Sequence, residues 1–196
     1  MSGSSFRYLV VRARVGQPQS PASFRGLAAA WSEACRSSGA VPWGLFSGLL
    51  GLRTDEMFAV AAAPDAAERP GLPGAETLDR YVGTATARPL APEPQQTPGV
   101  YVFRRFQIAT ASVEEFLRLS VEAWETFEND PAFQAEPRAL LRSDLPGGLT
   151  HMMLITWYAD LASWERSRQP APAARENFQA RARLTHWALP IATRLA

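Results

Sequence analysis

His151 and His186 are the two histidines in a chain of 196 residues. Imidazole is the side chain whose charge changes near neutral pH, so both are candidates for proton transfer or ligand binding. His151 alternates in step with Met153, Ile155 and Trp157. On a face that lines an enclosed space it could hold a ligand or move a proton; the plainer role is a polar strand end beside a hairpin. His186 stands next to Trp187 near the end of a predicted last helix, where a cation complements the helix dipole. No His-x-x-x-His or Glu-x-x-His spacing occurs, so no dedicated metal site is expected. Cys35 is alone, which excludes an internal disulfide and a cysteine metal cluster. All 20 basic residues are arginine. Without lysine there is no Schiff-base chemistry and no phosphate-loop lysine.

Arg104 and Arg105 are consecutive on a predicted strand, so their side chains leave opposite faces and one turns toward a buried side. An inward arginine would anchor a carboxylate, although a solvated strand edge is the commoner place for one. Trp157 and Tyr158 likewise point to opposite faces, one toward the helices and one into the space between sheets. The inward one would make a ligand-cavity wall, against the plain alternative of core packing. Trp31 and Trp124 lie on the apolar stripes of equivalent helices and read as core. Gly44, Gly48 and Gly51 are followed by no helix, so they suit a bent or bulged strand rather than a phosphate loop.

The elements that must position these groups follow from periodicity. Phe6 to Val15 alternates as a strand. Ser20 and Pro21 then open a helix with apolar residues at Phe24, Leu27, Ala28, Trp31, Ala34 and Cys35, closed by Ser38-Gly39. Trp43 to Leu52 and Met57 to Ala63 form a hairpin. From Asp65 to Arg80, prolines and glycines interrupt any helix until Glu76 to Tyr81, and Thr84 to Arg88 is a short strand. The run from Pro89 to Gly99 is a stiff, polar, proline-rich segment.

After it the order restarts. Val100 to Ile108 is a strand, and Ser112 with Glu115 makes a capping box for a helix carrying Val113, Phe116, Leu117, Val121, Trp124 and Phe127 on one side. Asn129-Asp130-Pro131 stops that helix. Ala139 to Arg142 is a short strand, and Leu145-Pro146-Gly147-Gly148 turns into the strand Thr150 to Tyr158. Asp160 caps a helix to about Arg168. Pro170 breaks it, a second piece runs from Ala173 to about Trp187, and Pro190 to Leu195 is the last strand.

Each half therefore reads strand, helix, strand, hairpin, strand, helix, strand, repeated at an offset of about 95 residues. This is the split βαβ unit. The fold class expected is α+β: tandem ferredoxin-like repeats (βαββαβ twice) whose two antiparallel sheets pack on each other as a dimeric-α/β-barrel-type pseudo-dimer. The predicted domains are residues 1–90, with a degenerate second helix; a linker at 91–99; and residues 100–196.

The hydrophobic share of 46% and charged share of 20% suit a globular chain. A net charge of +1, with arginines scattered among acids, predicts no nucleic-acid partner. No apolar run approaches the ~20 residues needed to span a bilayer, and the first residues lack a signal-peptide pattern. The expectation is a cytoplasmic, bacterial protein without membrane association.

Glu122-Ala123-Trp124, the turn at Leu145 to Gly148, and His151 through Arg166 (with Trp157, Tyr158, Asp160, Leu161, Glu165 and Arg166) resemble the NIPSNAP family of the dimeric α/β-barrel superfamily. The first half matches only at Ala30-Trp31, Asp65 and Glu68-Arg69. The resemblance implies a tandem barrel with a cleft that binds a small hydrophobic or aromatic molecule, with no settled chemistry and no cofactor. His151, Trp157, Tyr158, Arg104 and His186 are its candidate ligand-binding residues. One alternative is a cofactor-independent monooxygenase or haem-degrading enzyme; Gln107 stands where such a site would want asparagine. The other is a non-catalytic protein-interaction module. A small-molecule ligand and a second copy of the chain are the candidate partners. If one half keeps a pocket, the second is expected to.

Overall fold

The computed structural model describes residues 6–17, 20–64, 70–130, 133–170 and 172–196. Among them run eight strands and four α-helices: β1 (Phe6–Arg14), α1 (Pro21–Ser37), β2 (Val41–Leu50), β3 (Glu56–Pro64), β4 (Glu76–Ala85), β5 (Val100–Ala109), α2 (Val113–Glu128), β6 (Ala135–Leu145), β7 (Leu149–Tyr158), α3 (Leu161–Arg166), α4 (Pro172–Arg183) and β8 (Thr185–Leu195). They divide into two compact units. The first holds the described residues up to Ala85, with Leu90–Pro98 and Ile191–Ala196; the second holds Thr86–Pro89 and Gly99–Pro190.

In the first unit the strand order is β4-β1-β3-β2, all antiparallel, and the end of β8 pairs with β2. β3 is buried at every position but its last; from Met57 to Ala63 its sequence is apolar throughout, as a strand covered on both faces requires. α1 starts as its sequence dictates: the Ser20 hydroxyl accepts the Ser23 N–H at 3.2 Å and Pro21 occupies the first turn. Its buried residues Phe24, Trp31 and Cys35 meet Leu9, Val11, Ala59 and Ala61 in one core. Register shifts fall beside Gly44 and Gly48 of β2, so the glycines mark bulges. The proline-rich segment is tied to this unit: Gln95 N–H donates to the Trp43 carbonyl at 2.7 Å. At the end of β1, Arg12 and Arg14 converge on Glu56.

One element differs from the sequence reading here. Glu76 to Tyr81, expected to be helical, is the first part of β4. Pairing with β1 from Arg7↔Thr84 to Arg14↔Glu76 decides it; tertiary pairing overrides a weak local helix preference. Asp65, Glu68 and Arg69 lie outside the described residues.

The second unit orders its strands β6-β7-β5, with β8 next to β5 in the strand order. β5 and β7 run in unbroken register, placing Arg104 opposite Leu154 and Gln107 opposite His151. The β6–β7 turn is a three-residue loop, Pro146 to Gly148, between the paired Leu145 and Leu149; Gly147 at φ 80° and Gly148 at φ 74° take left-handed conformations that glycine adopts without strain. α2 packs Val113, Phe116 and Trp124 against Phe106, Ile108, Leu140, Met152 and Leu154.

Three local expectations are corrected. The Ser112 side chain makes no capping bond, because a 3-10 turn over Thr110–Ser112 leads into α2 instead. β6 spans 11 residues, since β7 offers it a partner along its whole length. α4 stops at Arg183 and not near Trp187, so His186 and Trp187 belong to β8. The Thr185 hydroxyl donates to the Arg181 carbonyl at 3.0 Å, satisfying one of the last-turn acceptors. The β-branched and aromatic residues that follow then take the extended form. His186 therefore faces no helix dipole. Among the described residues, no helix is long and apolar enough to cross a membrane.

Candidate functional site

Alternation along β5 and β7 gives their two faces different chemistry. Arg104 and Phe106 of β5, with Leu154, Thr156 and Tyr158 of β7, stand on the face that α2 and α4 cover. α2 contributes Trp124 and Phe127, one helical step apart. α3, whose first turn Asp160 caps by accepting the Ser163 N–H at 2.6 Å, contributes Trp164, and Ser167 and Arg168 follow it. α4 contributes Arg175, Phe178, Arg181 and Ala182. Between these elements lies a cleft of about 780 Å³, within the second unit, a volume that suits a drug-sized ligand.

The aromatic lining is held by its own contacts. Phe127 meets Tyr158 and Phe178 edge-on at 6.3 and 6.1 Å, a favoured geometry for aromatic pairs. Trp124 is covered by the Arg88 guanidinium, 5.2 Å from its ring. Arg88 is fixed in turn by Glu128 at 2.9 Å and by the Pro137 carbonyl at 3.0 Å.

Four arginines line the cleft and, among the described residues, no aspartate or glutamate does. Arg181 is only 6% exposed. Its Nη1 donates to the Ser120 hydroxyl at 3.2 Å, and its guanidinium lies 5.2 to 5.4 Å from the rings of Phe106, Phe116 and Phe178. Burial, then the like charge of Arg104, pushes its pKa down to about 9, still a cation at neutral pH. Burial also lowers the proton affinity of Arg104, and the neighbouring charge of Arg168 lowers it further. Tyr158 is 5% exposed. Burial holds its phenol protonated, outweighing Arg104 and its hydrogen bond with Ser167, so at neutral pH it offers no charge to the arginines.

The opposite face of the same sheet carries His151 and Trp157. His151 Nδ1 lies 2.9 Å from Arg105 Nη2, and its Nε2 lies 3.3 Å from Gln107 Nε2. Arg105 can only donate, so Nδ1 accepts. Trp157 lies under the Arg138 guanidinium at 5.7 Å. Of the five residues singled out from sequence, the structure thus brings Arg104 and Tyr158 together in the cleft. His151 and Trp157 lie across the sheet from them, and His186 is exposed on β8. Sequence reasoning missed Arg181, Phe178 and Trp164. Phe178 and Arg181 stand three apart on α4, but nothing in that polar stretch marks which face is covered. Trp187, beside His186, joins the lining and packs edge-on against the His151 ring at 5.4 Å.

The fold is that of the dimeric α/β-barrel proteins, built from ferredoxin-like units. The chain is similar to an anthrone oxidase-like protein (12% identity, TM-score 0.61, covering 100% of this chain and 92% of that one). It is similar to a haem-binding protein from Thermus thermophilus (11% identity, TM-score 0.55, 97% and 91%). It also resembles a Listeria monocytogenes ferredoxin-fold protein related to antibiotic biosynthesis monooxygenases (8% identity, TM-score 0.55, 98% and 95%). At such identities the likeness is one of fold. No family model matches the sequence, and no curated protein matches it.

Haem does not suit the cleft by its donor set. Among the described lining residues there is no histidine, cysteine or methionine to ligate iron. The phenol of Tyr158 is held protonated.

Proposed function

We propose that this protein binds a small, flat aromatic molecule in the cleft of its second unit. The observation that carries this is the cleft itself: about 780 Å³ walled by Phe106, Trp124, Phe127, Tyr158, Trp164 and Phe178. A packed, non-catalytic interaction module would have no use for such a space. The NIPSNAP-like residues, Trp124 and the run from His151 to Arg166, support the same reading, since they build three of the cleft walls.

An oxygenase reading draws on the structural neighbours described as monooxygenases or as related to them. A base would be needed to take a proton from such a substrate. The described lining has neither a carboxylate nor an imidazole, so binding is favoured over turnover.

Three tryptophans line the cleft, which supplies the assay. Titration with 1-pyrenemethanol, whose absorption overlaps tryptophan emission, should quench that emission with saturation. Native mass spectrometry of protein purified without additives should show a retained organic mass, and the absorption spectrum no haem band. Unsaturable or absent quenching, with a bare mass, overturns the proposal.

A further inference from the structure

We infer that the ligand of this cleft is an anion, a multi-ring aromatic carboxylic acid, whose carboxylate is held between Arg104 and Arg181. The inference rests on the cleft being a ligand site and adds the charge and orientation of what it takes.

Many arginines elsewhere are paired. Arg12, Arg14, Arg36, Arg88, Arg118 and Arg142 each reach a carboxylate. Arg181, among the most buried cations of the chain, has a serine hydroxyl and three ring faces instead. Arg104, on β5, lines the same cleft and adds its like charge to Arg181; among the described residues the groups that act on Arg104 are Tyr158 and Arg168, neither of them an acid. Two cations that repel each other in an apolar space cost stability unless a counter-charge arrives. Nothing in the described lining supplies one.

The chemistry of the missing partner can be stated. Two guanidinium groups present planar forks that match a carboxylate. The Tyr158 hydroxyl, protonated at neutral pH, is in electrostatic range of both. Arg168 and Arg175 are exposed beside the cleft and would draw an anion toward it. The remaining wall is aromatic, so the body of the ligand is rings, with its single charge directed at the β5–α4 side.

The test compares two probes of one shape, pyrene-1-carboxylate and 1-pyrenemethanol, by quenching of tryptophan emission. Wild-type protein should bind the acid at least tenfold more tightly than the alcohol, with the ratio shrinking as salt rises. In Arg181→Met and in Arg104→Met the ratio should fall toward one. Each variant is checked by thermal unfolding, and the second keeps the test open if the first does not fold. If both probes bind wild type equally, the anion inference is overturned while the aromatic cleft stands. If neither binds, both readings fall. If the acid is preferred but both arginine variants keep the preference, the charge is read elsewhere and the inference is wrong.

Discussion

Gly99 joins the backbone of β5 to the wall of the cleft, and replacing it by alanine should damage both. Its φ is 150°, a region open in practice to glycine alone; holding another residue there costs about 1–3 kcal/mol. A Cβ at this position would lie 2.5 Å from the Tyr158 carbonyl oxygen and 2.3 Å from Trp157 Nε1. The indole could swing aside only by leaving Arg138. The carbonyl belongs to the strand that pairs Val100 with Tyr158, so relief means shifting the ladder, about a further 1–3 kcal/mol by analogy with overpacked cores. The expected total is about 4 kcal/mol. At about 2–4 °C per kcal/mol for a chain of this size, Gly99→Ala should melt about 8–16 °C below wild type by circular dichroism. Gly147→Ala is the control. It has φ 80° but open space around the added carbon, so only the left-handed strain of about 1–2 kcal/mol applies. Because the displaced carbonyl is that of Tyr158, 1-pyrenemethanol binding should weaken in Gly99→Ala and not in Gly147→Ala. The reasoning is refuted if Gly99→Ala melts no lower than Gly147→Ala.

Asp160→Ala removes the acceptor of the Ser163 N–H and should cost about 1 kcal/mol, read as a lower urea midpoint. Asp160→Asn should stay within a few tenths of wild type; equal losses for both would show that the cap is not the cause. Glu56 is desolvated by burial, but its bonds with Arg12, the turn at Arg53 and Arg14 outweigh that and hold its carboxyl below the usual range. A carboxylate with a lowered folded pKa stabilises above its unfolded pKa, and that stability is lost as pH falls through the folded value. Glu56→Gln should therefore be less stable than wild type at pH 7, with the gap closing as pH falls from about 5 toward 3; a gap constant with pH would contradict the ion-pair account. The cleft variants Arg104→Met and Arg181→Met carry the binding predictions stated above.

How much of this was legible beforehand depends on the element. α1 could be placed from Ser20-Pro21 and its apolar stripe because local capping and burial agree there. β7 was legible for the same reason: an unbroken β-branched and aromatic run between a Gly-Gly turn and a capping aspartate leaves no competing structure. Glu76 to Tyr81 was not legible, because its residues are locally ambiguous and a strand 62 to 71 residues upstream, β1, decides it. The end of α4 failed similarly. Thr185 to Leu189 continues a helical pattern on paper, and pairing of β8 with its neighbours, a non-local fact, makes it extended.

The site shows why a face can be known and its use still be misplaced. Alternation separates Tyr158 from Trp157 and Arg104 from Arg105 without any structure, but it cannot say which face receives helices. His151 drew attention as a titratable group on an apolar strand, yet Arg105 and Gln107 occupy both of its ring nitrogens. Arg181 drew none, because an arginine in a helix of mostly alanine, arginine and other polar residues has the look of a solvated surface. What distinguishes it is that α4 turns Phe178 and Arg181 inward together, wrapping the cation in rings and away from the carboxylates that partner its counterparts. A chain that spends stability on an unneutralised, buried guanidinium opposite a second one has placed a requirement on its ligand, and that requirement is charge.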